Sequence, residues 1–253
     1  EITAADYQDY LDKIESRSFN VMGALTSDKT VKALLTDFVK RMRDEAGVKL
    51  QLVLHDYSQA DCCGVISVKN SVSDKNADKE SLVYWVTGAA AGCEINRSNQ
   101  NKRYDGEFDV YTDYTQSQLK EAVRNGEFVL HRVGSDIRVL EDINTLTTFD
   151  DTQGEVFKEN QTVRVIDQIA NDIAVLFNTK YLGVVPNDNA GRVSLWSDIV
   201  KHHEQLQSIR AIEGFSDSDI TVERGESKKS VVVTDAVTVV NAMSKLYMTV
   251  TVG

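Results

Sequence analysis

The chain has 253 residues, of which 42% are hydrophobic and 26% are charged. This composition is typical of a globular protein and excludes intrinsically disordered, collagen-like and miniprotein classes. Lys and Arg number 28 against 39 Asp and Glu, which gives a formal net charge of −11. Because such a charge repels phosphate backbones and anionic lipid, we expect neither nucleic acid nor a membrane surface as a partner.

The first residues and the cysteines bear on where the protein is found. No apolar run reaches the ~18 to 20 residues that a membrane helix needs, and residues 1–10 are polar and amphipathic rather than signal-like. Because the sequence begins with Glu1 rather than methionine, we expect further residues upstream. Of three cysteines, Cys62 and Cys63 are adjacent, so no regular disulfide framework can form. A reducing compartment is therefore expected.

The first half of the chain alternates predicted strands and helices. Periodicity and capping signals predict four helices, over residues 4–16, 28–46, 82–93 and 115–124. Apolar runs predict strands and a β-hairpin, over residues 19–22, 48–54 and 64–68 and over residues 128–133 and 137–140. We expect the small residues from Gly88 to Gly92 to permit close backbone packing of the third helix. The order of elements implies an α/β layer with parallel strand pairing.

A polar stretch without periodicity, residues 145–154, is the expected domain boundary. Two helices are predicted after it, one with a continuous apolar stripe over residues 163–177 and one that Asn189 caps. Three β-rich stretches follow, over residues 220–223, 229–240 and 246–252. The second domain is therefore expected to be α+β.

Two segments could be taken for a nucleotide-binding loop and a metal site. In both, the packing of a helix explains the residues better. The segment from Gly88 to Gly92 lacks the Gly-Lys-Ser/Thr residues with which a phosphate-binding loop holds phosphate and Mg²⁺. His202, His203 and Glu204 are consecutive, so on a helix they point about 100° apart and do not converge on one metal ion. We predict that His203 packs in the apolar stripe of its helix and that His202 faces outward.

Three further sets of residues could carry catalysis or metal binding, but each lacks the required pattern. His55 and His131 lie in or beside predicted strands without a neighbouring cysteine or a Gly-x-Ser-x-Gly turn, so no nucleophile and base pair is predicted. The acidic loop of residues 105–113 matches no EF-hand spacing, which favours a solvated loop. The adjacent cysteines follow Asp61, whose negative charge disfavours a thiolate.

The last residues form an alternating pattern. Leu246, Met248, Val250 and Val252 fall on one side of a strand, and Tyr247, Thr249 and Thr251 on the other. No proline, glycine or charge interrupts this stretch, and a free terminal strand is an exposed pairing edge unless something covers it. Two interpretations stay open, a strand in the domain's own sheet and a strand added to the sheet of a neighbouring subunit.

Eight segments, in order along the whole chain, resemble contractile phage tail sheath proteins, above all those of defective prophages and phage-tail-like bacteriocins of Gram-positive bacteria. The segments are RMRDEAGVK (41–49), GVISV (64–68), VYWVTG (83–88), YDGEF (104–108), RVLEDIN (138–144), NQTVRVID (160–167), FNTKYLG (177–183) and KLYMTV (245–250). They are scaffold segments rather than catalytic signatures, so the resemblance rests on their number and order.

The resemblance implies a structural subunit rather than an enzyme. Such subunits polymerise around a tail tube as a helical stack of hexameric rings, attach to a baseplate, and contract to drive the tube through the cell envelope. No cofactor and no metal is implied. The expected location is the bacterial cytoplasm during assembly and then the virion or phage-tail-like particle.

The resemblance also implies a fold and an interlocking segment. It predicts a subtilisin-like α/β domain over residues 1–146, without the Ser, His and Asp of a protease, and a C-terminal α+β domain over residues 147–253. The predicted interlocking strand comprises Lys245, Leu246, Tyr247, Met248, Thr249, Val250, Thr251 and Val252. The alternatives are a hydrolase built on the subtilisin-like scaffold and a monomeric binding module.

Overall fold

The computed structural model describes residues 3–252, and its centre is a four-stranded parallel sheet. The strands lie side by side in chain order: β1 (Val21–Gly23), β2 (Gln51–His55), β3 (Val65–Val68) and β4 (Glu127–Phe128). Every residue of β2 and β3 is buried. Parallel strands that are covered on both faces bury both rows of side chains, so the alternation predicted over residues 48–54 does not separate a buried face from an exposed one.

Three helices cover the two faces of this sheet: α1 (Ala4–Ile14), α2 (Lys29–Asp44) and α3 (Leu82–Ala91). The first two share a core with Leu52 and Leu54. The third shares a core with Val53 and Ile66, which point to the opposite face. Within the run of small residues, Ala89 and Ala90 are buried and Ala90 belongs to this core, whereas a Cβ at Gly88 would meet no atom within 4 Å.

A helix and a β-hairpin complete the first half: α4 (Gln116–Arg124), β5 (Leu130–Val133) and β6 (Asp136–Val139). Gly126 lies between α4 and β4 with φ of 73°, and a Cβ there would lie 2.9 Å from the Asn144 carbonyl oxygen. Glycine is the residue that tolerates both conditions. The predicted hairpin is confirmed, but Phe128 belongs to the parallel sheet.

Two long helices form the body of the second half: α5 (Asn160–Leu176) and α6 (Asn189–Ser208). A π-helical turn, Phe177–Tyr181, extends α5. Helix α6 is capped by Asp188, whose carboxylate accepts a hydrogen bond from the Gly191 N–H at 2.8 Å. The predicted cap, Asn189, is instead the first helical residue, because an aspartate one position earlier satisfies the free amide.

Two small antiparallel sheets follow: β7 (Ile212–Glu213) with β10 (Thr238–Val239), and β8 (Ile220–Arg224) with β9 (Val231–Asp235). The stretch predicted over residues 229–240 is therefore divided between two sheets. Residues 240–252 contain neither helix nor strand, so the strand predicted over residues 246–252 is not formed within this chain. No helix within residues 3–252 is long and apolar enough to cross a membrane.

Helix α5 is attached to the first half by buried polar contacts. The Asn171 side chain accepts a hydrogen bond from the Lys49 N–H (3.0 Å) and donates one to the Lys49 carbonyl (2.8 Å). Gln51 donates to the Asn160 side-chain oxygen at 3.2 Å, and Asn160 donates to Asp142 at 3.0 Å. Because buried polar groups need their partners, these contacts define one position of α5 on the first half.

Candidate functional site

The C-terminal segment, residues 243–252, exposes a row of large apolar side chains. Those at least 71% exposed are Met243, Leu246, Tyr247, Met248, Val250 and Val252. Within the described part of the chain, no backbone hydrogen bond joins residues 243–252 to the body. Contiguous exposed apolar surface marks interaction sites in soluble proteins. The segment therefore has the composition of a pairing strand and lacks a partner strand here.

A second exposed element, the β8–β9 sheet, has unpaired outer edges because it contains only two strands. Val232 and Val233 of β9 are 51% and 36% exposed. Beside β9 lies an open depression of about 460 Å³, whose apolar lining includes Ile173 and Phe177 of the α5 region. An open edge with adjacent apolar surface is the kind of site to which an extended peptide adds a strand.

The adjacent histidines His202 and His203 each contact a carboxylate of another element, Asp172 and Asp235. His203 is fully buried, and its Nε2 lies 2.9 Å from the Asp235 carboxylate while its Nδ1 lies 3.0 Å from the Ile199 carbonyl oxygen. Its predicted packing position is confirmed. His202 does not simply face outward, since its Nε2 lies 3.0 Å from the Asp172 carboxylate of α5. The two rings thus connect α6 to two other elements.

The adjacent cysteines differ from the sequence-based prediction. Cys62 and Cys63 line a cavity of about 240 Å³ between α2 and α5. A hydrogen bond from Cys63 and one from the Gly64 N–H at 3.4 Å lower the pKa of Cys62 below its ordinary value. The neighbouring Asp61 carboxylate accepts hydrogen bonds from Thr147 and the Thr148 N–H. The pKa of Cys62 is thus shifted in the direction opposite to the predicted effect of Asp61.

One polar pair was not predicted from the sequence. His55 Nε2 lies 3.1 Å from the Ser71 hydroxyl, at the carboxyl end of β2. The hydrogen bonds of His55 within residues 3–252 include no carboxylate, the group that orients the base in a serine hydrolase. Burial lowers the pKa of His55, so the ring is neutral. The two residues are 16 positions apart and share no motif, so no sequence signal points to the pair.

The acidic loop of residues 105–113 is held by hydrogen bonds to residues outside the loop. Asp105 accepts a hydrogen bond from the Trp85 indole N–H at 2.7 Å, and the Asp109 N–H donates to Asp74 at 2.8 Å. Among the described residues, no group of three or more His, Cys, Asp or Glu side chains is arranged to hold a metal ion. The hydrogen bonds of Asp105 and Asp109 thus give these loop residues a structural role.

Comparison with known proteins identifies the family. The profile of the phage tail sheath protein central domain matches residues 1–145, and that of the phage tail sheath C-terminal domain matches residues 152–253. The phage-like element PBSX protein XkdK of Bacillus subtilis is 32% identical over 264 residues, which cover 98% of this chain and 56% of that protein. The chain thus spans about half the length of the curated relatives that it matches.

Solved structures agree in fold. The sheath tail protein of Desulfitobacterium hafniense is 36% identical, with a TM-score of 0.85 over 94% of this chain and 57% of that one. The helical sheath of the anti-feeding prophage in its contracted state is 13% identical, with a TM-score of 0.74 over 98% of this chain and 73% of that one. The second likeness is one of fold alone. Because the two profiles together match nearly all of the sequence, the chain belongs to the phage tail sheath protein family.

Proposed function

We propose that this chain is part of a structural subunit of a contractile tail sheath, which polymerises around a tail tube and contracts to drive the tube through a cell envelope. The observation that carries the proposal is the exposed, alternating C-terminal segment, which has no partner strand among residues 3–252. Membership of the sheath family and the likeness in fold to a contracted helical sheath support it. The partners are then other copies in a helical stack of hexameric rings, a tube protein and a baseplate.

In this proposal Lys245 to Val252 form the interlocking strand. The segment adds to the open edge of β9 in a neighbouring copy, where backbone hydrogen bonds supply affinity and the apolar depression accepts alternate side chains. The strand becomes regular only after pairing, which is consistent with its irregular backbone in the isolated chain. A donated strand of this kind, covalently part of one subunit and hydrogen-bonded to the next, keeps neighbouring subunits joined while their rigid bodies change packing.

Under the same proposal the subunit acts through its surfaces and is not an enzyme. Residues 1–146 form a subtilisin-like α/β domain and residues 147–253 an α+β domain, and the subtilisin likeness concerns architecture alone. No cofactor is needed, because contraction releases energy stored in the packing of the assembled sheath. Assembly takes place in the bacterial cytoplasm, and the product is a virion or a phage-tail-like particle.

The proposal is tested by electron microscopy of the full gene product that contains this chain. We expect hollow helical tubes in negative stain, either alone or when the cognate tube protein is co-expressed. Deleting residues 246–253 should leave a folded monomer, because these residues contribute little to the core, and should abolish the tubes. Tubes of normal length after this deletion would contradict the interlocking role.

A serine-reactive fluorophosphonate probe tests the hydrolase alternative on the same protein. Since Ser71 has a histidine neighbour but no oriented carboxylate triad, we expect no labelling of Ser71. Stoichiometric labelling that His55→Ala abolishes would favour the hydrolase. A monomer at all concentrations, with and without the tube protein, would favour the binding module.

A further inference from the structure

The root of the C-terminal segment is held by two side chains at the start of α5. Gln161 is buried, and its side-chain amide accepts a hydrogen bond from the Ala242 N–H at 2.9 Å and donates one to the Val240 carbonyl at 3.0 Å. The Thr162 hydroxyl lies 3.1 and 3.2 Å from the two polar atoms of the Asn241 side chain. The Gln161 amide thus pairs with the extended backbone much as a peptide group of a parallel strand does.

This anchor is itself fixed to the body of the protein. The preceding residue, Asn160, is completely buried and bonded to both Gln51 and Asp142 of the first half. On the other side, the Val240 N–H donates to the Ala211 carbonyl at 3.0 Å. Residues 240–242 therefore have a defined position, and the free segment begins directly after them.

We propose that Gln161 is a positioning residue, which fixes the point where the C-terminal segment leaves the subunit and so restricts the hinge of the donated strand to Met243 and Ser244. The proposal rests on the proposed function of the segment. From Ala242 to Lys245 there are three Cα steps, which span ~10 Å when fully extended. The acceptor edge of the neighbouring copy must then begin within about 10 Å of Ala242 in every state of the sheath.

The length of this hinge affects assembly. Without the Gln161 amide, the Thr162 hydroxyl would still hold Asn241, so the flexible stretch would grow from residues 243–244 to residues 242–244. The effective concentration of a linked binding element falls roughly as the −3/2 power of linker length, so lengthening the linker by half lowers it about twofold. We therefore expect Gln161→Ala to raise the protein concentration needed for polymerisation about twofold.

The anchor can be measured in the 253-residue chain by amide hydrogen exchange with NMR detection. In the native chain the Ala242 amide should exchange at least about tenfold more slowly than the Met248 amide, and Gln161→Ala should remove the difference. Gln161→Glu keeps the acceptor for the Ala242 N–H and should retain most of the protection. Gln168→Ala is the matched control, because Gln168 lies on the same helix and donates to Asp172 instead.

The consequence for assembly is measured by sedimentation of the full gene product at a series of concentrations. Gln161→Ala should polymerise at about twofold higher concentration, and Gln168→Ala at the native concentration. If the native protein never polymerises, the proposed function is contradicted, and the exchange rates still show whether Gln161 holds the Ala242 amide. Ala242 exchanging as fast as Met248 in the native chain, or Gln161→Ala polymerising at the native concentration, would overturn the proposal.

Discussion

Arg43 of α2 and Asp167 of α5 form a bidentate ion pair between the two halves of the chain, with N–O distances of 2.6 and 2.8 Å. Both side chains are largely buried, and Arg43 also donates to the Leu50 carbonyl at 2.9 Å. Burial opposes the charge of Arg43, but the Asp167 carboxylate outweighs it, so the pKa of Arg43 is raised above its ordinary value. Together with the contacts of Asn160 and Asn171, the pair joins α5 firmly to the first half.

Removing one partner of this pair should destabilise the fold strongly. Asp167→Ala leaves a buried guanidinium without its counter-ion, which we expect to cost about 3–5 kcal/mol in the free energy of unfolding. The double variant Arg43→Met with Asp167→Leu should recover most of that loss, because no charge is left buried. Urea unfolding followed by circular dichroism measures all three proteins.

The exposed pair of Arg41 and Glu15 is a matched control for this experiment. Its N–O distance is 2.8 Å, but both side chains are more than a third exposed. Glu15→Ala should therefore lower the free energy of unfolding far less than Asp167→Ala does. Equal losses for Glu15→Ala and Asp167→Ala would contradict the role assigned to burial.

The elements of the fold could be predicted from local patterns, but the contacts that connect them could not. The apolar stripe of α5 predicts a helix with one buried face, since periodicity reports burial. The same stripe does not indicate that Asp167 meets a residue 124 positions earlier. Contacts of this kind depend on how helices pack on the sheet, which no window of sequence contains.

In the candidate site too, the local pattern could be predicted from the sequence and the long-range contacts could not. The alternation over residues 246–252 predicts an extended segment with one apolar side, and the apolar side chains are exposed as a partnerless strand requires. Its anchor on Gln161 lies 81 positions away from Ala242 and has no sequence signature. The lowered pKa of Cys62 also has no sequence signature, because it depends on the hydrogen bonds that Cys63 and the Gly64 N–H make in the fold.

His203 should make the stability of the C-terminal half depend on pH. Burial lowers its pKa, but Asp235 and the Ile199 carbonyl outweigh burial, so the pKa is raised above 6.5 in the folded protein. A raised pKa means that the stabilisation is fully present below about pH 6.5 and is lost as pH rises through the folded value. The urea concentration at the unfolding midpoint should therefore decrease as the pH is raised from 6 to 8.5.

The comparison variant for this test is His203→Gln, which cannot gain charge. Its urea midpoint should change less between the two pH values than that of the native chain. The nearby His202 Nε2 lies 3.0 Å from the Asp172 carboxylate, so His202→Gln separates the contribution of that contact. A native midpoint that rises with pH, or an equal fall in His203→Gln, would contradict the assignment to His203.

Cys62 should react with iodoacetamide at lower pH than Cys93. Hydrogen bonds from Cys63 and the Gly64 N–H lower the pKa of Cys62, whereas burial raises the pKa of Cys93 above its ordinary value. The thiolate is the nucleophile, so the alkylation rate of Cys62 should level off at a lower pH than that of Cys93. Peptide mass spectrometry after short labelling pulses gives both rates in one sample.

Variants of Cys63 identify the cause of the low pKa. Cys63→Ala removes the hydrogen-bond donor and should move the midpoint of Cys62 alkylation to higher pH, while Cys63→Ser retains a donor and should move it less. If the rates of Cys62 and Cys93 rise in parallel from pH 5 to pH 9, the thiolate assignment is wrong.

A negative charge in the C-terminal segment should block polymerisation when it is placed on the apolar side of the strand, but not when it is placed on the other side. Met248 lies on the apolar side with Leu246 and Val250, and Thr249 on the other side. Met248→Glu places a charge where we propose that the strand packs on its neighbour, and burying an unpaired carboxylate there costs several kcal/mol. Thr249→Glu carries the same charge one position away and should still form tubes. Because both residues are exposed in the isolated chain, neither change should alter its unfolding. Equal tube yields from the two variants in negative stain would mean that residues 245–252 do not pair as a strand with one buried face.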